Sequence, residues 1–405
     1  MRKRLMSGLL AGLMCVGMLA GCGSNAGNET AGSGVEGNAA VSDSTEVGEN
    51  AAAEVSANEN EATAAGEEAT RTIVDHLGHE VTIPAEIERI AITSITPLPS
   101  VYCMFEGSAD RLIGISPSSM AAAENSLLAE IVPGIVDVPT DFMAGGEVNI
   151  EELVAMDPDV VFYNASQEEE YEKLTAAGLN AVAFSTTQWG SDSVETFEAW
   201  VTLLGEVLNE EDKAAGITEY GREVYDMIQE RVASVDESEK PRVLFLYMYK
   251  DGVIQTSGSN HFGQYWADAT GAINVAEDSD ARGFEINMEQ VYEWDPDMIY
   301  ITNFVPYLSE DLYNNAIEGH DWSVVRAVQE ENVYKCPLGV YRWYPPSSDT
   351  PLMLLWMAKT NYPELFEDID LEAEMKEYYQ KFYGVELTDE NIEMIFNPSR
   401  EAAGA

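Results

Sequence analysis

The chain has 405 residues, with 72 acidic side chains against 21 Lys and Arg, and its formal net charge is −51 at pH 7. This charge argues against a nucleic-acid partner, which requires a basic surface. The four cysteines include no CxxC motif and form no disulfide framework.

The first 22 residues have the organisation of a lipoprotein signal peptide. Arg2, Lys3 and Arg4 precede GLLAGLMCVGMLA, an uncharged run of 13 residues, which is shorter than the roughly 20 residues that span a membrane. The run leads into LAGC, which has the pattern of a lipobox. We therefore predict that Cys22 is acylated and that it holds the protein at the outer face of the cytoplasmic membrane. An ordinary secretory signal with a chance cysteine is the alternative.

Residues 23–70 form a low-complexity segment of small and polar residues with ten acidic side chains, no basic ones and no aromatics. Such a segment buries too little apolar surface to offset its ordering entropy. We expect a disordered acidic tether between the lipid anchor and the folded part.

From residue 71 onward, short apolar runs alternate with helical stretches, which is the pattern of βαβ units. Predicted strands lie at 89–92, 111–115, 160–163 and 181–184, and the series restarts at 242–249, 297–301 and 332–336. The length of this part also exceeds that of one ordinary core. The fold class is therefore α/β, with two Rossmann-like lobes at 71–209 and 238–405.

A helix over 210–237 is expected to join the two lobes. Ile217, Tyr220, Val224 and Ile228 recur at the spacing of one helix face. A single long helix is stiffer than several crossing strands, so we expect a rigid joint with small hinge motion.

One phrase occurs twice in the chain, as NIEELVAMDPDVVFY at 149–163 and as NMEQVYEWDPDMIYI at 287–301. In each copy Asn is suited to cap a helix, Glu151 or Glu289 lies in the first turn, and Pro follows the helix. Each copy is therefore predicted to be a helix–turn–strand unit, one per lobe. Helix stabilisation alone would explain either glutamate.

These phrases, together with DHLGHEVTIPAEIERIAI at 75–92, TSGSNHFGQYWADATGAINVA at 256–276 and WSVVRAVQEENVYKCPL at 322–338, occur in the order of a known family. The chain resembles the substrate-binding proteins of ABC importers for iron complexes and vitamin B12, which have the class III periplasmic-binding-protein architecture. The resemblance implies two α/β lobes joined by one rigid helix, and a ligand held between them. It also implies that Glu151 and Glu289 dock onto arginines of an ABC permease dimer, which works with its ATPase. We expect a monomer.

Ligands of open α/β sheets bind outside the carboxyl ends of the strands. The loop GVYRWYPPSS, 339–348, places Arg342 among Tyr341, Trp343 and Tyr344. Arginine donates to carboxylate or catecholate groups, and aromatic rings suit a flat chelate. Further side chains expected at the ligand are Ser116, Phe142 and Trp189 in the first lobe, and Tyr247, His261 and Arg282 in the second. His261 and Met143 are also candidate axial ligands of haem, from opposite lobes.

We interpret the chain as a lipid-anchored receptor that binds a metal chelate, first a ferric siderophore, and delivers it to a permease. Haem, cobalamin and molybdate or tungstate remain open as ligands, and no intrinsic cofactor or metal is expected. With no nucleophile elbow, Walker loop or metal-ligand cluster, an enzyme is not expected. A lipoprotein sensor, or an enzyme on the same scaffold, is the alternative of another class. Cys103 and Cys336 are expected to be buried free thiols, although a bridge between them stays open.

Overall fold

The structure is a computed structural model that describes residues 69–402, all of which belong to one compact unit. The predicted signal peptide, its lipobox cysteine Cys22 and all but the end of the predicted tether lie outside the described residues. The described chain opens with an antiparallel hairpin of two strands, β1 (Thr70–Val74) and β2 (Glu80–Pro84).

The first lobe is built on a four-stranded parallel sheet. The sheet strands are β3 (Ile90–Ile92), β4 (Leu112–Ile115), β7 (Val160–Asn164) and β8 (Ala181–Phe184). Strands β5 (Met143–Ala144) and β6 (Glu147–Val148) form a separate short hairpin. Its helices are α1 (Leu98–Glu106), α2 (Pro117–Glu124), α3 (Leu128–Ile131), α4 (Ile150–Ala155), α5 (Glu168–Ala176) and α6 (Ser193–Leu208), with a 3₁₀ turn at Pro133–Asp137. The sheet order is β4-β3-β7-β8. Because helices cover both faces of a parallel sheet, these strands are almost continuously apolar and buried.

Helix α7 (Glu211–Val232) leads from the first lobe to the second. Its 22 residues span about 33 Å at the α-helical rise. The helix ends five residues before the boundary expected at 237, and a 3₁₀ turn at Glu237–Glu239 follows. Its apolar stripe is buried as the periodicity predicts, with inward side chains at Ala214, Ile217, Val224, Ile228 and Val232.

The second lobe holds a mixed sheet rather than a purely parallel one. Its strands are β9 (Arg242–Lys250), β10 (Val253–Ser257), β11 (Ile273–Asn274), β12 (Gly283–Ile286), β13 (Met298–Ile301) and β14 (Val333–Lys335). Its helices are α8 (Phe262–Ala269), α9 (Met288–Trp294), α10 (Ser309–Tyr313), α11 (Arg326–Gln329), α12 (Thr350–Asn361), α13 (Leu371–Tyr383) and α14 (Asp389–Phe396). The order is β12-β10-β9-β13-β14, and β11 pairs with β9.

The antiparallel part of this sheet follows from a tight hairpin. Strands β9 and β10 are antiparallel, as are β10 and β12, whereas β9, β13 and β14 are parallel. The turn residues Asp251 and Gly252 both have positive φ, 53° and 78°. Asp-Gly between two apolar runs is a strong hairpin signal, so the sequence contained the information for this departure from a purely parallel lobe.

The repeated phrase forms the predicted helix–turn–strand unit in both lobes. Asn149 caps α4 and accepts a hydrogen bond from the Glu152 amide, and Asn287 caps α9 in the same way. After each helix an aspartate takes a positive φ, 49° at Asp157 and 42° at Asp295. Aspartate tolerates this left-handed conformation better than most residues.

The last aspartate of each copy fastens the first strand of its lobe. Asp159 accepts a hydrogen bond from the Arg89 amide at 2.8 Å through its carboxylate, and Asp297 accepts one from the Arg242 amide at 2.8 Å. In both copies the aspartate amide donates back to the carbonyl of the same arginine. Most of the repeated phrase is therefore explained by how each lobe begins its sheet.

The two lobes share one apolar core. A single cluster of buried side chains takes in Ile92 of β3, Ile228 of α7 and Phe245 of β9. The C-terminal helices cross back to the first lobe, where the Tyr378 hydroxyl contacts the Met104 sulfur at 3.5 Å. Continuous packing across the joint supports the expectation of small hinge motion, because close-packed interiors transmit strain.

Two further findings concern the cysteines and the membrane. Cys103 and Cys336 are both buried free thiols, as expected. Among residues 69–402, no helix is both long enough and apolar enough to cross a bilayer.

Candidate binding site between the lobes

Loops of the two lobes contact each other at two places. On one side, the Ser191 hydroxyl donates to the carbonyl of Asn260 at 3.5 Å. On the other, the Leu127 amide donates to the Gly339 carbonyl at 2.9 Å, and the Ser126 hydroxyl donates to the neighbouring carbonyl of residue 340 at 3.0 Å. The second-lobe loops that follow β10 and β14 therefore each contact the first lobe.

On the second-lobe side, four rings contact one another in a row. Phe262 lies 4.9 Å from His261, His261 lies 4.5 Å from Tyr247, and Tyr247 lies 5.7 Å from Phe304, measured between ring centroids. We call these four side chains the ring row. Tyr247 and Phe304 are half-buried, whereas Phe262 and His261 are buried.

A guanidinium group lies at each end of the ring row. That of Arg282 is 5.9 Å from the Phe262 ring, and that of Arg342 is 4.9 Å from the Phe304 ring. Arg282 is exposed and Arg342 is half-buried. Arginine stacks on aromatic faces and carries a fork of donors that suits carboxylate or phosphate-like groups. One of these donors, the Nη1 atom of Arg342, contacts the Tyr341 hydroxyl at 3.2 Å. This face of the second lobe is therefore suited to an anion.

His261 contributes a neutral ring rather than a charge. Its Nδ1 atom lies 2.9 Å from the Ser257 hydroxyl and 3.1 Å from the Tyr344 hydroxyl. Burial, with a smaller contribution from the nearby Arg282 charge, lowers the pKa of His261 to about 4. At neutral pH the positive charge of the ring-row face comes from the two arginines.

On the first-lobe side, hydroxyl groups follow two neighbouring strands. The Thr96 hydroxyl, after β3, lies 3.2 Å from the Ser118 hydroxyl, after β4. The predicted ligand residue Ser116 is buried beneath them and caps α2, accepting a hydrogen bond from the Ser119 amide at 3.1 Å. Ser116 therefore shapes this loop, and Thr96 and Ser118 present hydroxyls at its surface.

The aromatic wall expected at 341–344 is not formed. Trp343 and Tyr344 are completely buried, and Tyr341 is 5% exposed. The Trp343 indole donates to the Asp349 carboxylate at 3.0 Å, and the Tyr344 carbonyl accepts from the Trp266 indole at 2.7 Å. Trp343 and Tyr344 therefore face the core, where the indole of Trp343 contacts Asp349 and the hydroxyl of Tyr344 contacts Ser257.

In the first lobe, Phe142 is also a core residue rather than a ligand contact. It is 2% exposed and packs over Gly114 of β4, where an added Cβ would lie 2.7 Å from its ring. Met143 is buried in the same apolar cluster. The geometry therefore gives no support to Met143 and His261 as a haem-ligating pair. Trp189 is half-buried and meets His76 edge-on at 5.0 Å.

Phe304 and Phe262 belong to the site but were not among the residues expected at the ligand. Phe304 lies in the loop 302–307 after β13, a strand that was predicted without its following loop. Applying the strand-end rule to that strand as well would have included Phe304. Phe262 lies in a predicted loop but had no signal of its own, since its role depends on the position of Arg282.

Arg342 lines one small cavity. It measures about 10 Å³ and is lined by Ala122, Asn125, Leu338, Tyr341 and Ala402, which is about the space of one water molecule. Larger cavities of about 480 and 520 Å³ are lined by other residues, among them Trp356 and Phe396 in the first and Tyr362 in the second. We favour the ring row over these, because charged and aromatic groups converge there. Within residues 69–402, no group of three or more His, Cys, Asp or Glu side chains could hold a metal ion.

Comparisons with known proteins show which proteins share this architecture. The periplasmic binding protein family matches residues 107–338. A periplasmic solute binding protein from Veillonella parvula DSM 2008 is 32% identical, with a TM-score of 0.75 over 82% of this chain and 98% of that one. The molybdate-binding protein MolA of Haemophilus influenzae is 25% identical over 343 residues, which are 80% of this chain and 93% of that protein.

The nickel–histidine complex of Helicobacter pylori CeuE is similar in fold. It is 20% identical, with a TM-score of 0.61 over 81% of this chain and 99% of that one. The similar proteins therefore share the two-lobed fold while their names point to different ligands.

Proposed function

Because the chain belongs to the periplasmic binding protein family, we propose that it is the solute-binding component of an ABC importer and binds an anionic metal chelate between its lobes. A ferric siderophore is the first candidate. The observation that carries this proposal is the pair of guanidinium groups at the two ends of the ring row.

Four rings in successive contact, at 4.9, 4.5 and 5.7 Å between centroids, lie between these two groups and favour a ligand wider than a single small ion. The rings between Arg282 and Arg342 offer apolar contact, and each guanidinium can donate to an anionic edge of the same ligand. A hydrogen bond to a charged group contributes about 1.5–3 kcal/mol. Two of them would supply a substantial part of the ~8 kcal/mol that a micromolar complex requires.

Isothermal titration of the full chain tests this proposal. The ligands are ferric catecholate and hydroxamate siderophores, their metal-free forms, haem, cobalamin and molybdate. We expect one ferric chelate to bind at submicromolar concentration, and Arg282→Ala and Arg342→Ala each to weaken it by about tenfold or more. Arg222→Ala is the matched control, because this exposed arginine pairs with Glu198 on another face. Chelate binding that survives both site substitutions would contradict the proposal.

A molybdate-type oxyanion is the second candidate. It is favoured by the similarity to a molybdate-binding protein and by the first-lobe hydroxyls of Thr96 and Ser118. In this case molybdate and tungstate bind, ferric chelates and sulfate do not, and a Thr96→Val, Ser118→Ala double variant loses affinity.

We also propose that Glu151 and Glu289 dock the protein onto the permease. Both side chains are exposed at the same place in the repeated unit. Three residues later, each unit exposes an apolar side chain, Val154 at 44% and Tyr292 at 39%. Most other repeated positions have a structural role. Glu151 with Val154, and Glu289 with Tyr292, are therefore the repeated positions that we assign to contact with a partner. Two equivalent surfaces match a partner with two equivalent subunits.

An uptake assay in cells tests the docking role. The Glu151→Arg, Glu289→Arg double variant should lose uptake while its ligand affinity is unchanged, because charges across an interface control orientation and encounter. Glu152→Arg is the control, since Glu152 is exposed one position away and the other copy has Gln290 there. Normal uptake by the double variant would rule the docking role out.

The proposed lipid anchor at Cys22 has a separate test. Cys22→Ser should release the protein from the membrane fraction, and a protein that stays with the membrane would exclude acylation at this residue.

A further inference from the structure

A buried carboxylate lies directly beneath the loop 339–344, which carries Arg342. Asp349, at the start of α12, is completely buried. Its Oδ2 atom accepts hydrogen bonds from the Val340 amide and the Trp343 indole, both at 3.0 Å. Its Oδ1 atom accepts a hydrogen bond from the Tyr379 hydroxyl of α13 at 3.1 Å. One carboxylate therefore joins the loop to two helices.

The loop is shaped around this carboxylate. A Cβ atom on Gly339 would lie 2.3 Å from the Asp349 Oδ2 atom, 2.6 Å from the Tyr379 hydroxyl and 2.8 Å from the Trp343 indole nitrogen. These distances are far below van der Waals contact, so only glycine fits at this position.

The outer face of the same loop reaches the first lobe. The carbonyl of Gly339 accepts from the Leu127 amide, and the next carbonyl accepts from the Ser126 hydroxyl. The loop thus lies between the Asp349 carboxylate on its inner side and the first lobe on its outer side. Arg342 is part of this loop and lies two residues after Val340.

Stability alone does not account for an aspartate at this place. Burial raises the pKa of the Asp349 carboxyl to about 7, and the titratable groups of α13 that face it are Tyr378, Tyr379 and Tyr383. A buried ionisable group is often less stabilising than an apolar one of the same volume. The carboxylate does, however, accept several fixed donors at once, which orders the segment that supplies them.

We propose that Asp349 is a positioning residue that fixes the conformation of the loop 339–344, and through it the location of Arg342 at the ring row. Its effect on ligand affinity rests on the proposed function, whereas its effect on the loop does not.

Hydrogen exchange and ligand titration of the full chain test the two parts separately. The amides of Val340 and Tyr341 both donate to the Asp349 carboxylate. In Asp349→Ala they should exchange at least about tenfold faster, because the buried acceptor is gone. Affinity for a ferric catecholate or for molybdate, whichever the wild type binds, should fall by a similar factor.

Two further variants separate positioning from general destabilisation. Asp349→Asn should restore both measurements, since its carbonyl oxygen can accept from the loop and its amino group can donate to Tyr379. If the alanine variant does not fold, Tyr379→Phe removes one donor and should give a smaller effect of the same sign. The control Asp370→Ala removes the N-cap of α13, which accepts from the Ala373 amide at 3.2 Å, and should leave loop exchange and affinity unchanged.

Unchanged exchange at Val340 and Tyr341 in Asp349→Ala would overturn the anchoring role. Faster exchange with unchanged affinity would overturn the positioning of Arg342. A wild-type chain that binds neither probe would count against the proposed function, and the exchange comparison would still decide whether Asp349 holds the loop.

Discussion

Substitution of Lys335 by methionine should change how stability depends on pH. Lys335 lies on β14 and is 9% exposed. Its ammonium group donates to the carbonyls of Thr302, Val305 and Tyr307, at 2.8, 2.5 and 3.2 Å. These carbonyls belong to the loop that places Phe304 in the ring row, so Lys335 holds this loop as Asp349 holds the other.

The expected magnitude follows from the burial of the ammonium group. Burial lowers the pKa of Lys335 from 10.5 to about 7, which corresponds to about 5 kcal/mol against the charged form. Between these two pH values the unfolded chain binds a proton that the folded chain does not, so the contribution of Lys335 to stability rises with pH. The unfolding free energy of wild type, minus that of Lys335→Met, should therefore increase by about 1.4 kcal/mol per pH unit above pH 7.

Urea unfolding followed by circular dichroism at pH 6 to 9 measures this difference. Groups common to both proteins cancel in the subtraction. Arg222→Met is the control, because arginine stays charged throughout this range and its profile should run parallel to that of wild type. A difference that stays constant with pH would refute the reasoning, since it would mean that the three carbonyls fully offset the burial of the charge.

Three other predictions concern stability. Gly339→Ala should cost about 1–3 kcal/mol by overpacking, because its Cβ would contact the Asp349 carboxylate; an unchanged urea midpoint would contradict this. Asp297→Ala should cost about 1–3 kcal/mol by leaving the Arg242 amide without its acceptor, as measured by urea unfolding. Because burial raises the pKa of Asp349 to about 7, its contribution is greatest below pH 4 and is lost as pH rises to 7. Relative to Asp349→Asn, wild type should therefore lose stability over this range, and a flat comparison would exclude the shift.

Features encoded in local sequence were predictable. The apolar runs predicted buried parallel strands because strands covered on both faces have little polar character. The stripe that includes Ile217 and Ile228 predicted the inward face of α7, and the repeated Asn predicted two helix starts. In each case the residues that carry the pattern lie in the predicted helix or strand or within a few residues of it.

The sequence predicted where the site lies, but not which side chains face it. The strand-end rule identified the loops that bring Arg282, Arg342 and Tyr247 to one face. It did not distinguish rings that face the site from rings that face the core, so Trp343 and Tyr344 were expected at the ligand and lie in the interior. A turn can direct an aromatic side chain to either side, and composition does not encode the direction.

Local periodicity and capping are enough to predict the α/β class, the two strand-and-helix series, the long helix after the first lobe and the doubled helix–turn–strand unit. Two features follow instead from the packing of the whole chain: Phe304 and Phe262 each contact one of the two arginines, and Asp349 lies beneath the loop of Arg342. These contacts join residues from separate strands and helices, and their positions depend on how the helices and sheets pack together.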